Sequence, residues 1–253
     1  MRARVLGAPI DAVNWLRCVD TIVAWASRHE SRYVCMCNVH SVVTARLDPT
    51  FRRVVSGADI AAPDGAPVAW RLRRMGHHDQ ERIDGPDLMW RCCVRAAGGG
   101  LSVFLYGGTP ETLAKLRERL ARELPALKHA GWYAPPFRPL TEEEDEEAVR
   151  MINGSGAHIV FVALGCPKQE AWMAAHRDRV RGVMIGVGAA FDYHAGVIAR
   201  APRWMRDAGL EWLHRLLSEP RRLWRRYLVT NTLFFAYLLG EFVRGGVQRR
   251  NQR

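Results

Sequence analysis

Short runs of apolar residues, many of them β-branched, alternate along this chain with longer stretches in which apolar residues recur every three or four positions. This alternation is typical of a parallel β-sheet whose strands are joined by helices. Strands are predicted at residues 5–6, 33–37, 58–61, 101–106, 130–133, 158–163 and 182–187, with helices between them. The pattern therefore predicts an α/β fold with a mostly parallel sheet and helices on both faces.

Three segments carry the signals of a helix start. Asp11 stands before an amphipathic stretch and is predicted to cap a helix over residues 11–27. Thr109 and Pro110 follow a buried strand, and they are predicted to cap and begin a second helix. The acidic run 142–147 is predicted to form the first turns of a third helix, where negative charge suits the helix dipole.

Polar or glycine-rich residues follow five of the predicted strands. In an open α/β sheet the ligand lies at the carboxyl ends of the strands, so these residues are expected to share a cleft of nucleotide size. The candidates are Asn38 and His40, Asp64, Gly107 and Gly108, Lys168 and Gln169, and Asp192. Glycines let backbone amides approach a phosphate, and a helix N-terminus favours its negative charge.

Asp64 stands in the stretch APDGAPVAW, and RIDGPDL follows it with Arg82 and Asp87. Asp64 is predicted to be a catalytic base. Two simpler alternatives are open. Asp64 could cap a helix over residues 65–75, and Arg82 and Asp87 could form a surface ion pair of little energetic consequence.

The segment GWYAPPF, residues 131–137, is predicted to be a rigid loop of aromatic residues and prolines. Its Tyr133 could stack on a flat ring such as a nucleobase, or the loop could only cover the core. The glycine pair of FLYGG lacks the spacing of a dinucleotide fingerprint or a Walker loop. This argues against a dehydrogenase or a phosphotransferase.

The composition changes beyond Gly196, where a segment rich in Arg and Trp begins. We predict an α/β domain at residues 1–196 and a helical appendage at residues 197–253, with breaks at Gly209 and Pro220. One apolar run of the appendage is too short to span a bilayer but suited to lie at its surface; a core helix or an oligomer contact is the alternative. The run comprises Leu233, Phe234, Phe235, Tyr237, Leu238, Leu239 and Phe242.

The net charge is +11, and twelve arginines against four acidic residues place +8 of it in residues 200–253. Such asymmetry predicts an anionic partner: a phospholipid surface, a diphosphate or nucleic acid. Nucleic-acid binding is the weaker alternative, because these arginines accompany a face rich in Leu and Phe. A solvated basic tail would need no partner.

The six cysteines include no CxxC pair, and no His stands at the spacing of zinc ligands. Neither a structural metal nor a disulfide framework is therefore expected. No segment has the pattern of a signal peptide or the roughly 20 apolar residues that span a bilayer. We expect a protein of the reducing cytoplasm.

Nine motifs in a fixed order carry a resemblance to a known family. They are CNVHSV, APDG, RIDGPDL, FLYGG, GWYAPPF, LGCPKQE, FDYHAG, RAPRW and GLEWLHRLLSEPRR. Together they resemble the WecG/TagA/CpsF family of bacterial glycosyltransferases, glycosyltransferase family 26. The motif NVHSV is similar to the corresponding motif of the GumM-like exopolysaccharide branch of that family.

The resemblance implies a Rossmann-like α/β catalytic domain and a C-terminal helical appendage that meets the membrane. It implies an inverting hexosyltransferase that needs no metal ion or other cofactor. Glucose, N-acetylmannosamine or its uronic acid would pass from a UDP-sugar to an undecaprenyl-diphosphate-linked acceptor, in the synthesis of exopolysaccharide or another cell-surface glycan.

The implied location is the cytoplasmic face of the plasma membrane, where the protein is peripheral. The implied partners are the UDP-sugar, the lipid-linked acceptor and an anionic membrane surface, with no nucleic acid. Self-association into a homo-oligomer is a further expectation.

The resemblance also assigns site residues. Those that match the family are Asp64 as the catalytic base, Arg82, Gln169, Asn38 and the appendage arginines Arg215, Arg222 and Arg225. The family often has Thr two residues before Asn38, where this chain has Met36. This departure leaves the donor sugar open.

The residues themselves support the same chemistry. Many nucleotide-sugar transferases hold a divalent cation with a DxD motif, and this sequence has none. Arginines can bind a leaving diphosphate instead, since they stay charged and bind phosphate oxygens in pairs. Asp64 can accept the proton of the attacking hydroxyl. Inversion is expected because no second carboxylate has an equal claim as a nucleophile, and Asp192 is assigned to the uridine or ribose.

Overall fold

The structure, a computed structural model, describes residues 1–250, with side chains as far as Glu241. Residues 251–253 of the predicted appendage, and the side chain of Phe242, lie outside the described part. The strands are β1 (Arg2–Val5), β2 (Ala8–Asp11), β3 (Arg32–Cys37), β4 (Ile60–Pro63), β5 (Ser102–Gly107), β6 (Lys128–Tyr133), β7 (Ile159–Ala163) and β8 (Val183–Gly186). The helices are α1 (Trp15–Ser27), α2 (Val39–Leu47), α3 (Pro49–Gly57), α4 (Ala66–Arg74), α5 (Gly85–Gly98), α6 (Pro110–Glu123), α7 (Glu142–Gly154), α8 (Lys168–His176), α9 (Ala190–His194), α10 (Arg203–Asp207), α11 (Glu211–Ser218) and α12 (Pro220–Arg250).

Six of the strands form one sheet in the order β4-β3-β8-β7-β5-β6, and its neighbouring strands are parallel. β3 lies inside the sheet: Cys35 pairs with Ala61 of β4 on one side and with Gly186 of β8 on the other. Helices cover both faces, so the inner strands are apolar along almost their whole length. The predicted α/β class is confirmed.

Two apolar layers, one on each face of the sheet, form the core. Alternate residues of β3 point to opposite layers. Cys35 packs in the layer beneath α2, α3, α7, α8 and α12, whereas Val34 packs in the layer beneath α1, α5, α6 and α9. The neighbouring strands β7 and β5 are thus followed by helices on opposite faces. Their carboxyl ends form the kind of crevice in which open α/β sheets bind ligands.

The first residues form a hairpin that the sequence pattern predicted only in part. β1 and β2 are antiparallel, and Asp11 ends β2. Its carboxylate accepts hydrogen bonds from Arg2 at 2.9 Å and from the backbone amide of Ala61 at 2.8 Å. The predicted capping role of Asp11 is therefore wrong. Asn14 caps α1, which begins at Trp15.

The other two predicted helix starts are confirmed. Thr109 caps α6 through a hydrogen bond from the backbone amide of Thr112, and Pro110 is the first helical residue. Thr141 and Glu144 form a capping box at the start of α7. The acidic run therefore lies where the helix dipole favours negative charge.

The predicted loop of aromatic residues and prolines begins later than expected. Gly131, Trp132 and Tyr133 belong to β6, and only residues 134–137 lie outside it. Gly131 pairs with Phe104 of β5, and a side chain at Gly131 would come within 2.6 Å of the Phe104 ring. The loop prediction is wrong for these first three residues, because the glycine serves a close approach within the sheet.

The C-terminal segment breaks where the sequence predicted. A turn at Gly209 separates α10 from α11, and α12 begins at Pro220. The described helices include none with the combination of length and hydropathy that crossing a bilayer requires. The division into residues 1–196 and 197–253, like self-association, stays a prediction.

α12 packs along α2 and divides the predicted apolar run into two sides. Phe234 and Leu238 are buried in the first core layer, with 0% exposure at Phe234. Phe235 is 57% exposed, and Leu239 is exposed as well. The core alternative therefore holds for one side of the run, and the other side remains free to meet a surface.

Candidate active site

A cavity of about 260 Å³ lies between the carboxyl ends of β3 and β4 and the C-terminal helices. The strand ends and the loop that follows β4 contribute Asn38, His40, Asp64 and Arg82 to its wall, and the C-terminal helices contribute Glu211, Trp212, Arg215, Arg226, Tyr227 and Phe235. The structure thus brings together five of the residues predicted from the sequence, namely Asn38, His40, Asp64, Arg82 and Arg215.

A smaller cavity of about 100 Å³ continues behind Asp64. The two cavities share Asn38, Asp64, Arg215 and Arg226. The smaller one also reaches Gln169, another predicted site residue, and the adjacent Glu170, which was not assigned to the site from the sequence. Asp64 therefore stands at the junction of the two spaces.

Asp64 is held at the strand end by the sheet itself. Its amide donates to the carbonyl oxygen of Cys37 at 3.0 Å, which extends the pairing of β3 with β4 by one residue. The following helix α4 has Gly65 as its N-cap, and no side chain makes a hydrogen bond at that cap. The alternative that Asp64 caps a helix is therefore wrong.

The surroundings of Asp64 raise its pKa to about 7. Burial is the largest cause, since it disfavours the charged carboxylate, and repulsion from Asp84 adds to it. The charge of Arg82 and a hydrogen bond from Asn38 act in the opposite direction. A carboxylate with this pKa can accept a proton near neutral pH, which is the task of a general base.

Asn38 and His40 lie at the start of α2. Asn38 caps the helix through Oδ1, which accepts from the Ser41 amide at 3.2 Å, so its Nδ2 is available to Asp64. Burial and the charge of Arg226 lower the pKa of His40 to about 4. His40 is therefore neutral at physiological pH, and it can act as a hydrogen-bond partner but not as a cation.

Arg82 is held between two carboxylates. Its Nη2 donates to Asp84 at 2.9 Å and to Glu211 of α11 at 2.7 Å. Arg200 donates to Asp84 at 2.7 Å and also pairs with Asp87. The suggested surface pair of Arg82 with Asp87 is therefore wrong. Both residues belong to a partly buried network that joins the start of α5 to the C-terminal helices.

Two guanidinium groups of the C-terminal helices face both cavities. Arg215 of α11 is 4.0 Å from Glu219, and its buried Nε has no hydrogen-bond partner among the described residues. The side chain of Arg226, in α12, makes no hydrogen bond or ion pair within the described part of the chain. Burial and repulsion from Arg215 lower the pKa of Arg226. The site thus holds positive charge that an anionic ligand would neutralise.

Arg222 and Arg225, which the resemblance assigned to the site, lie on the outer side of α12. Arg222 is 59% exposed and pairs with Glu219 at 2.7 Å, and Arg225 lies near the ring of Trp224. Neither lines the two cavities, and Arg226 lies where they were expected. Helical spacing could have indicated this, because Arg226 borders the buried side of α12. That side consists of Leu223, Tyr227, Thr230, Phe234 and Leu238.

Gly108 and Lys168 line a separate cavity of about 370 Å³ at the crevice between β5 and β7. Gly107 precedes them in the wall of the sheet. A side chain at Gly107 would come within 2.5 Å of the carbonyl oxygen of Ala163. Packing alone therefore requires glycine at that position, whatever binds at the crevice.

Tyr133 and Asp192 lie apart from the residues around Asp64. Tyr133 ends β6 and lines a shallow space of about 220 Å³ at the edge of the sheet. Asp192, in α9, accepts a hydrogen bond from the hydroxyl of Thr112 at 3.3 Å. Neither lines the two cavities beside Asp64.

The arrangement combines a proton acceptor with positive charge that no described carboxylate binds by a hydrogen bond. Asp64 can take a proton from a hydroxyl, while Arg215 and Arg226 can bind an anionic leaving group. Such a pairing suits the transfer of a group from a donor that carries phosphate. Among the described residues, no group of three or more His, Cys, Asp and Glu is arranged to hold a metal ion.

A family model described as the glycosyl transferase WecG/TagA/CpsF family matches residues 3–248. The matched range contains the whole six-stranded sheet and almost all of the C-terminal helices. It therefore includes every residue that lines the two cavities beside Asp64. The match agrees with the resemblance carried by the motifs, and it gives no support to nucleic-acid binding or to a dehydrogenase. Membership of this chain in the GumM-like exopolysaccharide branch stays a prediction.

Replacing Asp64 with Asn is expected to raise the melting temperature more at pH 8 than at pH 4. The folded protein raises the pKa of Asp64 from 3.8 to about 7. Above pH 4 the unfolded chain ionises while the folded protein keeps the proton, so stability falls as pH rises towards 7. The amide avoids this cost. Thermal unfolding of both proteins measures the difference, and an equal gain at both pH values would contradict the raised pKa.

Proposed function

Because this chain belongs to the WecG/TagA/CpsF family of glycosyl transferases, we propose that it transfers a sugar from a UDP-sugar to an acceptor linked to undecaprenyl diphosphate. The sugar is of the hexose type: glucose, N-acetylmannosamine or its uronic acid. The product would enter an exopolysaccharide or another cell-surface glycan. The main support is one cavity that Asp64 shares with Arg215 and Arg226, two guanidinium groups that no described carboxylate binds by a hydrogen bond.

In the proposed reaction Asp64 is the general base. An acceptor hydroxyl attacks the anomeric carbon of the donor, and its proton passes to the Asp64 carboxylate. The bond from that carbon to the UDP oxygen breaks as the new glycosidic bond forms. Attack on the face opposite to UDP inverts the anomeric configuration. The place of Asp64 between the two cavities supports this role, since donor sugar and acceptor hydroxyl must meet beside the base.

Arg215 and Arg226 are proposed to bind the diphosphate of the donor. Negative charge grows on the β-phosphate oxygen as UDP leaves, and guanidinium groups held in a partly buried site stabilise it. Arg226 makes no hydrogen bond or ion pair within the described part of the chain, and Glu219 lies 4.0 Å from Arg215 Nε, beyond hydrogen-bond distance. In this proposal the two arginines take the role that a metal ion has in many other nucleotide-sugar transferases.

The uridine is proposed to lie over the ends of β7 and β5. The helices after these strands lie on opposite faces of the sheet, which is where open α/β sheets bind nucleotides. Gly107 and Gly108 leave the strand end without side chains. Lys168, Asp192 and Tyr133 flank this region and could bind phosphate, ribose or base. Their roles remain predictions from the sequence.

The cavity beside Asp64 opens towards an apolar surface. Phe235 lines the cavity and is also largely exposed. With Trp224, Leu228 and Leu239 it forms an exposed stripe along α12. A lipid-linked acceptor in a membrane surface could present its sugar to Asp64 from this side, and the basic charge of the segment favours anionic lipids. We therefore place the protein at the inner face of the plasma membrane, with this stripe towards the lipids.

The direct test is sugar transfer by the purified protein. UDP should be released from one of the three UDP-sugars when a panel of undecaprenyl diphosphate monosaccharides is supplied. The rate should rise with pH through about 7, because Asp64 accepts a proton only when ionised. Asp64→Asn should bind UDP but lose a factor of roughly 10²–10⁴ in rate.

Coupled detection of UDP, with mass analysis of the lipid product, measures this transfer. Transfer by Asp64→Asn at the wild-type rate would remove the base assignment. If the wild-type protein uses none of the three donors with any acceptor of the panel, the proposed function is wrong.

Arg226→Gln is expected to weaken the binding of UDP by about ten-fold or more, since a charged hydrogen bond is worth about 1.5–3 kcal/mol. Arg225→Gln changes the neighbouring arginine on the outer side of α12, and should alter the affinity by less than about two-fold if the geometry is decisive. Calorimetric titration with UDP compares the two variants. A larger loss in Arg225→Gln or Arg222→Gln would favour the assignment made from the sequence.

Phe235→Ser is expected to reduce sedimentation with vesicles of anionic phospholipid several-fold and to leave the melting temperature unchanged, because Phe235 is exposed. The neighbouring Phe234→Ala serves as the packing control. Its buried ring should cost about 3–5 kcal/mol of stability when removed. Unchanged sedimentation of Phe235→Ser would argue against the membrane-facing stripe.

A further inference from the structure

Two tyrosines line the candidate site, and the proposed reaction gives them no task. Tyr193 of α9 lines both the larger and the smaller cavity beside Asp64, and Tyr227 of α12 lines the larger one. The two residues belong to opposite walls, since α9 follows β8 of the sheet and α12 is one of the C-terminal helices. Each wall of the cavity therefore supplies one phenol.

Buried neighbours fix the direction of Tyr193. Phe191 and His194 of the same short helix are both buried. The ring of His194 stacks on Trp90 at 5.3 Å between ring centroids, and its Nε2 donates a hydrogen bond to the carbonyl oxygen of Pro86 at 2.9 Å. The helix α9 is thus anchored before and after Tyr193, and the phenol lies in the cavity wall.

Tyr227 is held by packing between two of the C-terminal helices. Its ring lies 5.9 Å from that of Trp212 in α11, measured between ring centroids. Leu223 and Thr230, one helical turn before and after it, are buried. Tyr227 therefore lies on the inner side of α12, next to Arg226, and it is partly buried.

Neither phenol makes a hydrogen bond within the described part of the chain. Of the charged groups around them, Arg215 has the largest effect on the pKa of both. A guanidinium group has no acceptor atom, so it cannot receive the phenol hydrogen. Glu211 is also close enough to affect both phenols, but its oxygens accept hydrogen bonds from Arg82 and Arg200 instead. The two O–H groups are therefore available to a ligand.

Both tyrosines keep their protons at neutral pH. Burial is the largest cause, because it disfavours the phenolate; it raises the pKa of Tyr193 to about 12 and also raises the pKa of Tyr227. The charge of Arg215 opposes this rise without reversing it. The site thus combines two neutral hydrogen-bond donors with the guanidinium groups of Arg215 and Arg226. Such a set of groups fits an oxygen atom that carries negative charge.

We infer that Tyr193 and Tyr227 donate hydrogen bonds to the β-phosphate of the sugar donor, beside Arg215. The inference rests on the proposed function, because it needs a UDP-sugar in this site. The β-phosphate is bonded to the anomeric carbon, so it comes closer than the α-phosphate to the base that serves this carbon. Tyr193 and Arg215 line both cavities, as Asp64 does, which places them at the same junction.

The two phenols act mainly while the bond from the sugar to UDP breaks. The electron pair of that bond stays on the β-phosphate oxygen, and the proton of the acceptor hydroxyl passes to Asp64. The tyrosines keep their own protons, since a phenol is a much weaker acid than a phosphate. A hydrogen bond strengthens as charge grows on its acceptor, so these donors bind the departing UDP more tightly than the intact UDP-sugar. Such a difference in binding accelerates the transfer step.

The test compares four proteins: the wild type, Tyr193→Phe, Tyr227→Phe and the control Tyr237→Phe. Each substitution removes one hydroxyl and keeps the ring, and at Tyr193 and Tyr227 it breaks no hydrogen bond of the described chain. Tyr237 lies farther along α12, where Arg46 covers its ring, and it lines neither cavity. Calorimetric titration measures the binding of UDP and UMP. Single-turnover transfer, with the donor and acceptor that the wild type uses, measures the reaction step.

Tyr193→Phe and Tyr227→Phe are each expected to weaken the binding of UDP about ten-fold, since a hydrogen bond to a charged group is lost. The affinity for UMP, which has no β-phosphate, should change by less than about two-fold. The single-turnover rate should fall about ten-fold or more, whereas the donor concentration that gives half the maximal rate should change by less than about three-fold. Tyr237→Phe should match the wild type in every measurement, and all four proteins should have the same melting temperature.

An unchanged affinity for UDP together with an unchanged rate in either Tyr193→Phe or Tyr227→Phe would overturn the inference for that tyrosine. An equal loss of affinity for UDP and for UMP would overturn it as well, because the phenol would then contact the nucleoside or the α-phosphate. In these two cases UDP binding and sugar transfer by the wild type leave the proposed function in place. If the wild type does not bind UDP, the proposed function fails, and the inference fails with it.

Discussion

The contact between the C-terminal helices and the start of α5 is the interaction on which the candidate site depends. Arg82 and Arg200 bind Asp84 from two sides, and Glu211 of α11 pairs with both arginines. These groups are mostly shielded from water, so removing one would leave its partner uncompensated, at a cost of ~3–5 kcal/mol for a buried pair. The C-terminal helices form half of the cavity wall. The cavity beside Asp64 is therefore maintained by this network.

The same network sets the electrostatics of the site. Asp84 and Glu211 raise the pKa of Asp64 by repulsion, and Arg82 lowers it by attraction. Because two carboxylates already neutralise Arg82, its charge is less available to a ligand than the charges of Arg215 and Arg226. All three residues are arginines, but their partners differ. Arg82, between two carboxylates, mainly adjusts the pKa of Asp64, whereas Arg215 and Arg226 can bind an anion.

Much of the fold and part of the site could be predicted because they depend on local signals. Parallel strands covered on both faces must be continuously apolar, and the polar residues that end them stand out, as Asn38, Asp64 and Gln169 do. The prediction from local sequence was wrong where a residue binds a partner that is distant in the sequence. Asp11 has the chemistry of a helix cap, yet it binds Arg2 and the amide of Ala61, because the hairpin docks on the edge strand β4.

The sequence by itself determined the parallel α/β sheet, its strand ends and the family, because periodicity and motif order are properties of neighbouring residues. Only the tertiary structure decided which residues share a cavity. It selected Arg226 over Arg222 and Arg225, since spacing tells which residues share one side of a helix but not what that side packs against. It also brought Glu211 and Asp84 to Arg82, since such charges interact through distances that are fixed only when the whole chain has folded.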